Sequence, residues 1–202
     1  MLRLAMLCVL VLLLAVPALA DGPLEEAGQE FPRSIELATD DDTVTLNATG
    51  ISLRKKLFFK VYVAVSYVDA SLELGDDPGQ AIIETLRPRQ MHLRMLRDLD
   101  SEKITNGINE ALEKTATRPL EEIAAERERF LGVFGDEKLA KHDDLRMTYL
   151  PGKGLEVKLN DEVRDVIPGD AFARAFFEIY FAEKPVDDGM KKNLLKVVRG
   201  DD

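Results

Sequence analysis

Cysteine is almost missing from this 202-residue chain, with Cys8 its only example. That residue lies inside an apolar run rather than after it, which argues against a lipid-bearing cysteine. Once the leader described below is removed no thiol remains, so disulfide scaffolding and thiol catalysis are both excluded. Histidine is nearly as scarce: His92 and His142 stand fifty residues apart, with no carboxylate or cysteine at ligand spacing. A zinc site needs three or four convergent ligands, so no metal and no other cofactor is expected. Asp40-Asp41-Asp42 lacks the spacing of a calcium loop and reads as a turn. There is no Gly-x-Ser-x-Gly, and the Pro-Gly-Lys-Gly at 151–154 lacks the Walker pattern and sits between strands. Cations are also outnumbered, 27 against 37 acids, for a formal charge of −10. Nucleic acid is therefore not an expected partner, because phosphate binding needs a clustered cationic face.

What is present begins with a leader. Residues 1–20, "MLRLAMLCVLVLLLAVPALA", have a cationic start at Arg3, an apolar run from Leu4 to Val16, and Ala18-Leu19-Ala20 before the break. This is the pattern of a secretory signal peptide. A membrane anchor needs about 20 apolar residues, and Pro17 interrupts this shorter run. The expectation is an exported protein, periplasmic or secreted, with no stable membrane span after cleavage. Residues 21–30, "DGPLEEAGQE", read as a flexible mature terminus, and 31–200 as one domain. A domain near 150 residues buries roughly 70% of its unfolded surface, enough to stand without staples.

Along the domain, "FPRSIEL" and "TVTLNATGISL" read as strands, with Gly50 as a bend or bulge. From Leu57 the alternation is strong. Leu57, Phe59, Val61, Val63, Val65 and Tyr67 form one face; Lys56, Phe58, Lys60, Tyr62, Ala64, Ser66 and Val68 form the other. A period of two in β-branched and aromatic residues specifies a strand, here a long, curved one of ~40 Å. A short helix over 78–86 and a strand over 89–96 follow. Asp100 suits the cap of a helix bearing Ile104, Ile108 and Leu112 on one face, and Pro119 suits the first position of another. Strands broken by Pro-Gly-Lys-Gly and Asn-Asp come next, then an all-round apolar helix capped by Asp170 and a last helix over 190–198. This order predicts an α+β fold: a large curved antiparallel sheet with a layer of helices on one face, an open-faced β-sandwich.

The chemistry left standing is in "GISLRKKLFFKVYVAVSYVD" at 50–69. Arg54 is a permanent cation with a fork suited to a carboxylate, and Tyr62 places a phenol on a face with small residues at 64 and 66. On spacing alone the plainer reading leads, Arg54 as a strand-edge cation and Tyr62 as an aromatic with its tip in water, because pockets are few per protein. Lys55 and Lys56 read as solvated.

This segment resembles the signature strand of chalcone-isomerase-like proteins, especially their exported bacterial, non-catalytic branch. The resemblance runs on through "MHLRMLRDLDSEKITNGINEAL" and through the chain from "LRMTYLPGKG" to "MKKNLL". It implies the open-faced sandwich. It also implies binding of a small apolar carboxylate such as a fatty acid without catalysis, with Arg54 the anionic anchor and Tyr62 a hydrogen-bond partner; the alternatives are an intramolecular lyase or isomerase acting on a phenolic or enone-like substrate, and an interaction module with a collapsed cleft. The family's enzymes carry a threonine on the long strand and a tyrosine on a following one. Residues 56–69 have no threonine and 89–96 no tyrosine, so no catalytic residue is assigned. The candidate ligand-binding set is Arg54, Tyr62, Tyr67 and Ser66, and no protein partner is indicated. A collapsed cleft would be lined by Phe58, Phe172 and Phe176.

Overall fold

The computed structural model describes residues 22–40, 42–135 and 137–200. The leader, residues 1–20, lies outside the described residues. Seven strands form one antiparallel sheet in strict chain order: β3 (Ser34–Ala38), β4 (Thr43–Lys56), β5 (Phe59–Asp69), β6 (Arg89–Met95), β7 (Asp144–Leu150), β8 (Gly154–Leu159) and β9 (Glu162–Pro168). Every strand pairs with its neighbour in sequence, so every link is a hairpin or a hairpin enlarged by helices. The helical insertions are α1 (Pro78–Glu84) between β5 and β6, then α2 (Ser101–Thr115) and α3 (Ala124–Gly132) between β6 and β7. The chain closes with α4 (Asp170–Phe181) and α5 (Asp188–Leu194). The expected α+β sheet-and-helix architecture is the one observed.

Alternation along the strands divides the core in two. On the helical face, Ala64, Val68, Met91, Leu93, Met95, Met147 and Tyr149 pack against α4. That helix buries nearly its whole surface, which explains why its sequence is apolar on every side. On the other face Val63, Val65 and Tyr67 meet Leu24 and Phe31. Those last two residues belong to a small hairpin, β1 (Leu24–Glu26) with β2 (Gln29–Phe31), where the sequence suggested a flexible lead-in. Leu24 and Phe31 are its two apolar anchors, too few in a polar stretch to signal a strand by period.

The strand expected from Leu57 is β5, which begins two residues later, at Phe59. β4 and β5 form a hairpin whose two-residue turn is Leu57-Phe58, with Leu57 at φ +56°. The alternation holds along β5 in the expected phase, and only its start differs, because hairpin turns usually declare themselves with Asn or Gly at such positions. Two helix starts also differ. Gly169, at φ +84°, precedes α4, while Asp170 lies in the first turn and accepts the Tyr149 hydroxyl at 2.7 Å. Pro119 leads into a short 3-10 turn, Leu120–Ile123, before α3 begins.

Gly50 sits at a register shift between Ala48 and Gly50, the bulge its sequence position suggested. It does more than bend the strand. A Cβ there would lie 2.2 Å from the Asn193 carbonyl oxygen and 2.7 Å from the Leu194 carbonyl carbon, so α5 rests on bare backbone. Beside it, Thr49 Oγ1 donates to the Leu194 carbonyl at 2.7 Å and Val197 N–H donates to the Thr49 carbonyl at 3.1 Å. Since no flexible side chain can yield, Gly50→Ala is expected to cost about 2–3 kcal/mol and to lower Tm by roughly 4–12 °C. A thermal melt of the variant superimposed on that of the parent would mean that α5 is not held at this point.

Candidate functional site

Arg54 and Tyr62 face each other across the β4–β5 hairpin as direct register partners. Arg54 Nη1 donates to Asp187 Oδ2 at 2.7 Å. The other oxygen of that carboxylate accepts from Met190 N–H at 3.0 Å and so caps the start of α5. The phenol of Tyr62 interacts with that of Tyr180, which comes from the buried helix α4. Burial raises the pKa of Tyr62, and the Arg54 cation only partly offsets it. Tyr180 is pushed well above the ordinary phenol range, again first by burial. Both phenols are therefore neutral at physiological pH. They can donate or accept a hydrogen bond, but neither is a ready base.

Arg54, Tyr62, Tyr180 and Asp187 thus form one half-buried cluster where β4 and β5 meet the ends of α4 and α5. Sequence reasoning found the first two. It took Tyr180 as a packing residue and missed Asp187, although "VDDGMKKN" carries the acidic cap of a helix start. A cap signal says nothing about which distant cation the second carboxylate oxygen will meet.

The other two candidates do not join the cluster. Tyr67 points to the opposite sheet face, fully buried, and its hydroxyl donates to the Pro32 carbonyl at 2.9 Å. It ties β5 to the link between β2 and β3. Burial raises its pKa too, so it is a structural phenol. Ser66 shares the face of Tyr62 but lies four residues along, which in a strand is ~13 Å. It is fully buried, and its Oγ has no hydrogen-bond partner.

Two small cavities among the described residues hold about 10 Å³ each, and neither is lined by Arg54 or Tyr62. Each has room for a water at most, whereas ligand pockets run to about 300–1,000 Å³. Phe172 and Phe176 do fill the helical core, stacked against Phe130 with centroids 5.1 and 5.8 Å away. Phe58 is not with them: it stands 97% exposed at the hairpin turn.

A second polar cluster occupies the opposite face. His92 Nε2 meets Asp144 Oδ1 at 2.7 Å, and Arg94 grips the same carboxylate through two bonds of 2.9 and 3.1 Å. Phe31 of β2 packs edge-on against His92 at 5.0 Å and under the Arg94 guanidinium at 4.9 Å. His142 lies two residues before Asp144, exposed in the turn before β7, and its backbone N–H donates to the Met95 carbonyl at 2.8 Å. Among the described residues no three His, Cys, Asp or Glu side chains gather as a metal set. No described helix is long and apolar enough to cross a membrane.

Residues 24–196 match the model of a family described as chalcone isomerase-like. Among solved structures, the chain is similar to the crystal structure of an Arabidopsis thaliana fatty-acid binding protein. The TM-score is 0.66 at 21% identity, over 86% of this chain and 95% of that one. At that identity the likeness is one of fold. No curated protein matches the sequence.

The His92 environment sets a pH dependence. Burial holds its folded pKa below the ordinary value, with Asp144 opposing only in part. The unfolded imidazole therefore takes up a proton first, and stability is lost as pH falls through about 6.5. Asp144 is held far below the usual carboxylate range, so its own contribution persists until much stronger acid. Thermal melts between about pH 7 and 5 are expected to show a falling Tm that His92→Gln largely flattens. An unchanged slope in the variant would place the titrating group elsewhere.

Proposed function

The chain belongs to the chalcone isomerase-like family, and from that premise we propose that it is an exported binder of a small apolar carboxylate, a fatty acid being the type, without catalytic turnover. The observation that carries this reading is the Arg54–Asp187 contact. A carboxylate already rests on Arg54, beside two neutral phenols, at the junction of sheet and helices. A ligand carboxylate takes the place of Asp187 on the same cation, so one acid replaces another and no buried charge is left unpaired. Asp187 retains its hydrogen bond to Met190 N–H and turns its other oxygen to water while α5 stays anchored at Thr49 and Gly50, and the ligand's tail runs along the apolar face of β5. The Ser66 hydroxyl, now without a partner, lies along that path. The solved fatty-acid binding protein supports the reading at the level of fold.

Absence of turnover is supported by the residues near the cluster. β5 carries no threonine and β6 no tyrosine, while Tyr62 with its raised pKa is unsuited to abstracting a proton. The interaction-module reading has one observation in its favour, two cavities of only about 10 Å³ that border neither Arg54 nor Tyr62. Export rests on residues 1–20, and it predicts a mature chain whose intact mass begins at Asp21.

Calorimetric titration with a medium-chain fatty acid separates these readings. Arg54→Ala is expected to weaken binding about tenfold or more, the scale of a charge-assisted hydrogen bond. Asp187→Asn keeps a cap oxygen but removes the competing charge, and binding should tighten about fivefold. No heat in any of the three proteins would favour the interaction module. Turnover of an enone substrate that disappears in Tyr62→Phe would overturn the non-catalytic assignment.

A further inference from the structure

The turn between β4 and β5 is built against the usual rules for hairpins. A two-residue turn with positive φ is ordinarily given to Asn or Gly, because a branched or bulky side chain is strained there. Here Leu57 takes it at φ +56°, followed by Phe58 and Phe59. None of the three finds cover: Leu57 is 84% exposed, Phe58 97% and Phe59 58%. The remaining large exposed hydrophobics, Leu86, Val163 and Val198, are separated from them in sequence. So the apolar residues concentrate at one convex tip, where they contribute neither core nor an easy turn.

Charge at the tip is as unusual as its hydrophobicity. Acids exceed bases by ten in the chain, yet residues 54–60 hold four cations and no acid. Arg54 is committed to Asp187. Lys55 and Lys60 face each other directly behind the turn, and Lys56 pairs in register with Phe59. Among the described residues these three lysines have no ion-pair partner. Arg97, from the loop after β6, adds a fourth positive group with its guanidinium 4.8 Å from the Phe59 ring centroid. The nearby Asp98 is occupied elsewhere, accepting from the backbone N–H of Lys141 at 2.8 Å.

We propose that this tip is a membrane-docking element: Leu57, Phe58 and Phe59 enter the interfacial region of an anionic bilayer while Lys55, Lys56, Lys60 and Arg97 hold its headgroups. An apolar wedge ringed by long cationic side chains suits an interface that is oily below and negatively charged above. Each cation near such a surface is worth about a fivefold gain in affinity. A convex two-residue turn offers no groove to receive a peptide, which favours a lipid surface over a protein. The rest of this acidic molecule is repelled by anionic lipid, so the interaction also fixes orientation. The inference is independent of the ligand reading, although docking would bring the adjacent Arg54–Tyr62 pair to the membrane surface.

The chain has no tryptophan, so Phe58→Trp creates a single fluorescent reporter at the tip. Its emission is expected to move to the blue with phosphatidylglycerol-containing vesicles, and a Val163→Trp reporter should not move. In co-sedimentation with the same vesicles, Phe58→Ser should weaken binding about tenfold, as expected when one aromatic leaves the interface. Replacing Lys55, Lys56 and Lys60 with Gln should reduce binding to the level seen with phosphatidylcholine alone. Because the comparisons are within one chain, any contribution from residues 1–20 cancels. Tyr62→Phe, which alters the ligand site without changing charge, provides the separation from the ligand reading and should sediment much like the parent. All four altered tip positions are exposed, and circular dichroism checks that folding is intact. The proposal is overturned if the parent fails to bind anionic vesicles, if the tip variants sediment like the parent, or if the Phe58→Trp emission stays unshifted.

Discussion

The site depends on how closely α5 can approach β4. That distance is set by a missing side chain: at Gly50 a single methyl would overlap backbone atoms of residues 193 and 194. With backbone against backbone, Thr49 can bond the Leu194 carbonyl and the chain beyond it can bond Thr49 in return. The helix is then fixed with its capped end, Asp187, over Arg54. Moved outward by the width of a methyl group, the carboxylate would lose the guanidinium. The bulge at Gly50 is thus a spacing device as much as a bend.

A second constraint is the strict two-residue period of β5. It sends Tyr62 and Tyr67, five positions apart, to opposite faces and gives two chemically similar phenols unrelated tasks. One meets Arg54 and Tyr180; the other bonds a backbone carbonyl under the β1–β2 hairpin. The same rule places Arg89 inward from β6. There it is sandwiched between Tyr149 and Phe177, at 4.3 and 4.5 Å, and donates to the carbonyls of Ile83 and Thr85. Burial pulls its pKa down to about 10, which still leaves it charged. A cation in the core is tolerated because ring faces and the carbonyls at the end of α1 replace its water.

Much of this was legible in the sequence, where period and punctuation agreed. The alternation in β5, β6 and the β7–β9 meander, the apolar surface of α4 and the glycine at the bulge all follow from local chemistry. The turn at Leu57-Phe58 was not, since its residues have strand propensity and continue the alternation across the break. The β1–β2 hairpin escaped because two anchors in a polar stretch carry no period. Of the site, Arg54 and Tyr62 could be named from residue type and position on one strand. Asp187 could not: it lies 133 positions from Arg54, and its local role as a cap accounts for its presence without reference to any cation.

The meander also imposes an order in time. Consecutive strands can zip together as they emerge during synthesis, because none waits for a distant partner. The contacts that close the site are of another kind, since Thr49 and Leu194 are 145 residues apart. Arg54 and Tyr62 meet across a two-residue turn, whereas Asp187 reaches Arg54 over 133 positions. The pair at the heart of the site is thus closed by the shortest of loops and the acid that covers it by one of the longest, so loss of the C-terminal contacts uncovers the pair without separating it.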